Sequence, residues 1–371
     1  MSNNLTLNIE QIKKEKDGLD VLSDIYIYAV LGERVAPKDL IRFQWYGIYQ
    51  QENNLDYFKI VIPLPLGELN LEQLKTLAFI SKDYAKNSLD INHGQKIEFK
   101  WLKMHNLPHI FNLLHNVNLS TIFESGHTVR NVITCPINTV DCKQLIDVSS
   151  IASKLNDTFI GNKKFSNLPN KFQVAISGCK EGCNLEKIPD LTFDANSYKN
   201  NKFLFSVKIV GKHIGYVTAS QIVNTTKAIA NVYKSFGNRT DIRKSTFSSL
   251  IDTWGIKQFT NILESSINFS IKTVILEEDN TPTKGEHFGV NTSVVEGQSY
   301  IGCKVTSSTL KASDFSGLAK ILEKHEASKI KLTNKGHIIV LDAPTTKASE
   351  LANDLKKVNF IIPRFFHFVI L

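Results

Sequence analysis

The sequence predicts an α+β chain in which one strand–helix–hairpin–helix unit occurs twice, with an α/β region inserted between the copies. Three observations predict it. The stretch from Tyr57 to Asn116 reads as strand, helix, hairpin and helix. The stretch from Ser299 to Phe360 repeats that order. Between them lie four of the five cysteines, in two close pairs. Each copy leaves a sheet edge and a sheet face to cover, so pairing the copies is the economical arrangement.

Residues 1–44 are charged and polar around one apolar patch, DVLSDIYIYAVLG, and are expected to form an arm on the main body. Tyr57–Ile62 alternates and is β-branched, hence a strand, closed by Pro63, Pro65 and Gly67. Asn70 is placed to cap a helix whose apolar positions are Leu71, Leu74, Leu77, Ala78 and Ile80. Leu89, Ile91, Ile97 and Phe99 belong to a hairpin around His93-Gly94, and Asn106–Asn116 to a second helix with Pro108 in its first turn. This order is that of a ferredoxin-like half, and residues 45–115 are assigned to it. The second copy, residues 290–360, has its helices over Ser313–His325 and Thr346–Val358 and its hairpin at Lys335-Gly336. The insert, residues 118–275, carries a helix over Ile146–Phe159, strands at Lys171–Ser177 and Phe203–Val210, and a long helix over Thr218–Phe236. A further helix includes Leu250, Ile251 and Trp254. Cys303 falls in a strand and is expected in the core.

Composition narrows the function. With 42% apolar and 22% charged residues the chain is an ordinary globular sequence. No run of eighteen apolar residues occurs, and the first residues lack a signal-peptide core, so neither a membrane span nor a secretory signal is expected. Five cysteines in 371 residues argue against a disulfide framework and for a reducing cytoplasm. The net charge of +8 comes from dispersed lysines, without a basic run or nucleic-acid motif, so no nucleic-acid partner is expected. An acidic protein partner suits such a surface.

Cys135 and Cys142 are separated by six residues, and Cys179 and Cys183 by three. Four thiolates in two close pairs suit an iron–sulfur cluster, and the alternative is partly buried free thiols. Arg130 and Lys171 beside the pairs could hold anionic groups.

The segments VRNVITCP and LPNKFQVAISGCKEGC resemble the iron–sulfur/siroheme domain of the nitrite and sulfite reductase family, and the likeness extends from about Phe43 to the C-terminus. The resemblance is to the family's first three modules. It implies that a second cysteine domain, which carries the cluster and the thiolate shared with the siroheme iron, is missing here. Residues 361–371 then read as a truncated C-terminal tail, and a partner chain could supply the missing domain. It also implies siroheme and a [4Fe–4S] cluster as cofactors, with Cys135, Cys142, Cys179 and Cys183 as the cluster set. The family's own cluster spacing differs by one residue in the first pair.

Arg130 and Lys171 match positions that bind siroheme carboxylates or the substrate oxyanion, and Asn131 lies in the same motif. Arg239, Arg243 and Lys244 match a segment that reaches the siroheme propionates. Two departures are visible. Asn92-His93-Gly94-Gln95 stands where relatives show an arginine in the hairpin, and Gln173 stands where sulfite reductases have a second lysine. Gly211 and Gly215 sit where relatives have a richer glycine loop.

The resemblance implies six-electron reduction of sulfite or nitrite, with a ferredoxin-like electron donor. The alternatives are a non-catalytic, structural or cofactor-holding member of the family, and a protein similar to precorrin-3B synthase.

Overall fold

A computed structural model describes residues 8–179, 188–198, 202–272 and 287–363. Helices α1 (Ile9–Glu15), α2 (Leu22–Leu31) and α3 (Pro37–Phe43) open the chain. The first repeat follows as β1 (Ile48–Gln51), β2 (Asn54–Pro63), β3 (Glu68–Asn70), α4 (Leu71–Tyr84), β4 (Ser88–Asn92), β5 (Lys96–Leu102) and α5 (Leu107–Asn116). The insert holds β6 (Ile133–Thr134), α6 (Ser149–Phe159), β7 (Val174–Ser177), β8 (Leu191–Tyr198), β9 (Lys202–Ile209), β10 (Lys212–Val217), α7 (Ile222–Phe236) and α8 (Phe247–Ser265). The second repeat is β11 (Gly289–Thr292), β12 (Gln298–Val305), β13 (Thr309–Lys311), α9 (Ala312–Lys324), β14 (Lys329–Leu332), β15 (Ile338–Pro344), α10 (Ala348–Leu355) and β16 (Phe360–Ile361).

The repeats exchange a strand. One sheet runs β1-β2-β5-β4-β13 and the other β11-β12-β15-β14-β3. Thus β13 of the second repeat pairs with β4 of the first, Leu310 opposite Leu89. In return β3 of the first pairs with β14 of the second, Leu69 opposite Ile330. Each exchanged strand covers an edge the other repeat would leave open. Helices α4 and α9, each following an exchanged strand, pack against one another. One apolar core therefore runs through both repeats, with Ile60, Ile97 and Phe99 from one sheet and Ile301, Ile330 and Val340 from the other all buried in it.

Local signals act as expected. Asn70 caps α4 in a reciprocal pair with Gln73, each side chain accepting from the other's backbone N–H at 2.9 Å. The region assigned to the arm departs from its plain reading: residues 8–44 contain three helices docked on the body. Buried Lys13 donates to the carbonyl of Leu168 at 2.9 Å, and Tyr46 donates to Leu19 O at 2.8 Å.

The insert is a five-stranded sheet, β10-β9-β8-β7-β6, with β6, β7 and β8 parallel and the last three antiparallel. Val210-Gly211 is the turn between β9 and β10, with Gly211 at φ +76°. The glycines read as a loop thus form a hairpin. Helix α7 begins at Ile222, after a short turn capped by Thr218 and Gln221.

Candidate functional site: a cationic cleft between the insert and the paired sheets

Alternation along β2 and β5 builds one wall of a cleft. Ile60, Ile62, Ile97 and Phe99 point into the core, so Lys59, Val61, Lys96 and Glu98 take the other face. The insert supplies the second wall through Arg130, Lys171 and Gln173. These two motifs meet because Val129 bridges to Phe172 in parallel and Arg130 N–H donates to Phe172 O at 2.9 Å. The pairing continues as β6 against β7, Ile133 opposite Ala175. The resulting space is about 400 Å³, and His93 and Asn92 of the first hairpin line it as well. Four cations (Lys59, Lys96, Arg130, Lys171) face two carboxylates, Glu98 and Glu124. The excess positive charge suits an anion.

Arg130 is buried and fixed. Its guanidinium donates to the carbonyls of Phe123 (3.2 Å), Ser125 (2.7 Å) and Gly126 (2.8 Å), and to Thr128 Oγ1 (2.7 Å). Burial lowers its pKa and the nearby Glu124 carboxylate opposes this; a guanidinium stays charged regardless. Behind Lys171 and Gln173 sits Asp190, which accepts the Gln173 N–H at 2.8 Å. Burial pushes its carboxyl up to about 6, against the pull of that N–H and of Lys171 and Arg130.

The cleft's acids each hold a lysine. Glu98 accepts from Lys59 at 3.5 Å and from Asn92 at 3.1 Å. Glu124, whose side chain is 1% exposed, pairs with Lys96. Gln95 is fully buried and ties three sheets together: its amide donates to Leu332 O (3.0 Å) and Thr134 O (3.3 Å) and accepts the Thr134 N–H (3.3 Å). His93 donates from Nδ1 to Asn334 O at 3.1 Å.

Other residues singled out in the sequence lie elsewhere. Asn131 is buried and its amide donates to Leu64 O at 2.9 Å, which makes it a clamp to the first repeat. Arg239 is directed to Glu10 (2.8 Å), Asn167 and the Lys234 carbonyl, so it fastens α1 to the insert. Arg243 is 87% exposed and pairs with its neighbour Asp241. Lys244 is exposed beside it, and none of the three lines the cleft. The donors of Arg239 are thus directed to groups of the protein itself.

Of the four thiols singled out in the sequence, the structure brings Cys135 and Cys179 together. Cys135 and Cys179 are buried in one small apolar cluster with Ile137, Val140, Tyr300, Ile339 and Leu341. Cys142 is exposed, and Cys183 lies outside the described residues. The Cys179 thiol donates to Asp141 Oδ2 at 3.4 Å. Among the described residues no three Cys, His, Asp or Glu side chains come together to hold a metal. The cleft residues, for their part, fit anionic carboxylates or an oxyanion. Cys303 is buried in β12 as expected, and burial pushes its thiol up to about 12.

Sequence reading missed Lys59, Lys96, Glu98, Glu124 and Asp190. The signal was present for the first three: charged residues alternating with Ile and Phe on strands mark a polar face opposite a core face. Nothing in the sequence said that this face meets the insert.

Fold and cleft together define a chain of two strand-exchanged half domains with an α/β domain set between them. The model of the nitrite and sulphite reductase 4Fe-4S domain matches residues 125–270. That of the nitrite/sulfite reductase ferredoxin-like half domain matches residues 49–117 and again 295–358. The chain belongs to the nitrite and sulfite reductase family.

A ferredoxin–nitrite reductase of Leptolyngbya laminosa is 28% identical, over 87% of this chain and 67% of its own length. An assimilatory ferredoxin-dependent nitrite reductase of Haloferax mediterranei is 26% identical, over 92% of this chain and 65% of its own. A ferredoxin sulfite reductase of Mycobacterium tuberculosis is 24% identical, over 92% and 66%. The chain thus spans about two thirds of the length of the curated relatives it matches. The structure of the Mycobacterium tuberculosis NirA protein superposes with a TM-score of 0.88 at 23% identity, covering 96% of this chain and 70% of that one, and so shares the fold. No described helix is long and apolar enough to cross a membrane.

Proposed function

We propose that the chain works as a siroheme and iron–sulfur oxidoreductase of this family, reducing nitrite or sulfite with electrons from a ferredoxin-like donor in a reducing cytoplasm. The observation that carries the reading is the single cleft in which Arg130 and Lys171 of the insert meet Lys59 and Lys96 of the first repeat. Arg130 contributes a fixed positive charge, because its carbonyl partners hold it without reorganisation. Lys171 and Lys96 carry ammonium groups that can hold protons at Nζ beside a bound oxyanion, whose reduction releases water and consumes protons.

Siroheme, when bound, supplies the redox centre, and Arg130 and Lys171 are the residues that would hold its carboxylates or the substrate. Gln173 offers an amide where a second lysine would add charge, which favours the nitrite monoanion over the sulfite dianion. Neither the fold nor the relatives favour the non-catalytic reading. Which chain holds the cluster follows from iron counting, and a partner chain belongs to the same proposal.

The test is anaerobic loading with siroheme, gel filtration, and assay with a reduced ferredoxin. Co-elution of siroheme absorbance with the chain and formation of ammonium from nitrite are expected. A chain that elutes colourless after loading would end the proposal.

A further inference from the structure

Gly94 has φ +82°, in the region that favours glycine, so an arginine placed there would be strained. A side chain built on it would begin 3.3 Å from Lys96 Cε and 4.0 Å from Gln173 Nε2. The alkyl chain of Lys96 thus already lies beside the space that a residue at 94 would enter, and that space opens onto Gln173. The strand geometry of β5 turns Lys96 away from the core and into the cleft, where it lies with Arg130 and Lys171. Its side chain is 23% exposed, while that of its partner Glu124 is 1% exposed, so the ammonium has a buried carboxylate behind it and the cleft in front.

An ammonium has three donors, and that of Lys96 forms an ion pair with Glu124. The neighbouring cations are engaged differently. Arg130 has donors committed to four groups of its own loop, and Lys59 is drawn to Glu98 and lies 5.1 Å from the centre of the Tyr49 ring.

Resting on the reading of this cleft as an oxyanion site, we propose that Lys96 contacts the bound anion, with Glu124 as its positioning residue. The anion then meets Lys96 from the paired sheets and Lys171 from the insert. A cation on each side of the junction makes affinity depend on how the two are held together. Glu124 fixes the ammonium and offsets its charge when no anion is bound.

Calorimetric titration of the full chain with nitrite and with sulfite tests this. Removing Lys96 alone leaves Glu124 buried and unpaired, so the informative variant is the double change Lys96→Met with Glu124→Gln. We expect it to unfold at the wild-type temperature yet bind nitrite at least about tenfold more weakly, the loss of one charge-assisted contact. Lys96→Arg, which keeps the charge, should bind within about threefold of wild type. Lys171→Met serves as the control on the cleft itself. If Lys171→Met weakens binding and the double variant does not, Lys96 serves only to neutralise Glu124 and the inference is overturned while the oxyanion reading stands. If the wild-type chain binds neither anion, both fall together.

Discussion

Asp190 shows how a residue behind a cleft can make stability depend on pH. Its carboxyl is raised from 3.8 to about 6, chiefly by burial, so the folded state binds its proton more tightly than the unfolded chain does. The folded state is therefore penalised as pH rises through the unfolded value, and the penalty is complete above about 6. Asp190→Asn keeps an acceptor for the Gln173 N–H and removes the charge. Allowing for partial exposure, we expect the variant to gain ~2 kcal/mol over wild type at pH 7.5 and little at pH 4. Urea unfolding at the two pH values measures this, and an equal difference at both would mean that Asp190 is not the titrating group. Residue roles were only partly legible in the sequence. Arg130 and Lys171 stood out because two motifs named them, and parallel pairing brings those motifs together. Lys96 and Glu124 did not, since a lysine on a strand reads as a solvated position until a second domain is laid over it.

At the scale of elements, α1 is held to the insert by Arg239–Glu10 and by Lys13 donating to Leu168 O. Burial lowers Lys13 to about 8, and burial lowers His127, beside it at 3.2 Å, to about 4. A histidine kept neutral in the fold costs stability once it must charge, so this docking should weaken as pH falls from about 6.5 toward 4. Arg239→Ala should speed amide exchange in α1 by about tenfold, roughly the loss of one charge-assisted contact, with the other helices unchanged. Equal speeding throughout the insert would show that Arg239 supports the whole domain and not one helix. The helices of the repeats were readable from caps and spacing, as at Asn70 and Pro108. The three N-terminal helices were not, because α2 exposes Ile27, Val30 and Leu31 and so lacks a clean polar face.

At the scale of the molecule, strand exchange makes the two repeats one folding unit. Leu69 and Leu310 sit on the exchanged strands and are 0% and 4% exposed. Truncating either to alanine should cost ~2–4 kcal/mol. Because each strand belongs to the other repeat's sheet, amide protection in β5 and β15 should fall together in both variants. A fall confined to one sheet would show that the repeats unfold separately. The repeat itself was legible because strand, helix and hairpin recur in order. The exchange was not, since strands of three residues such as β3 and β13 carry too little pattern to reveal their partner.

An oxyanion site at the junction of insert and paired sheets must respond to nitrite. The most direct measurement is a nitrite titration of the siroheme-loaded chain, followed by its absorption spectrum, for wild type, Lys171→Met and Arg239→Ala. We predict that the wild-type spectrum shifts on nitrite addition, that Lys171→Met needs at least about tenfold more nitrite, and that Arg239→Ala titrates like wild type. A spectrum indifferent to nitrite, or a Lys171→Met chain that titrates like wild type, would contradict the claim.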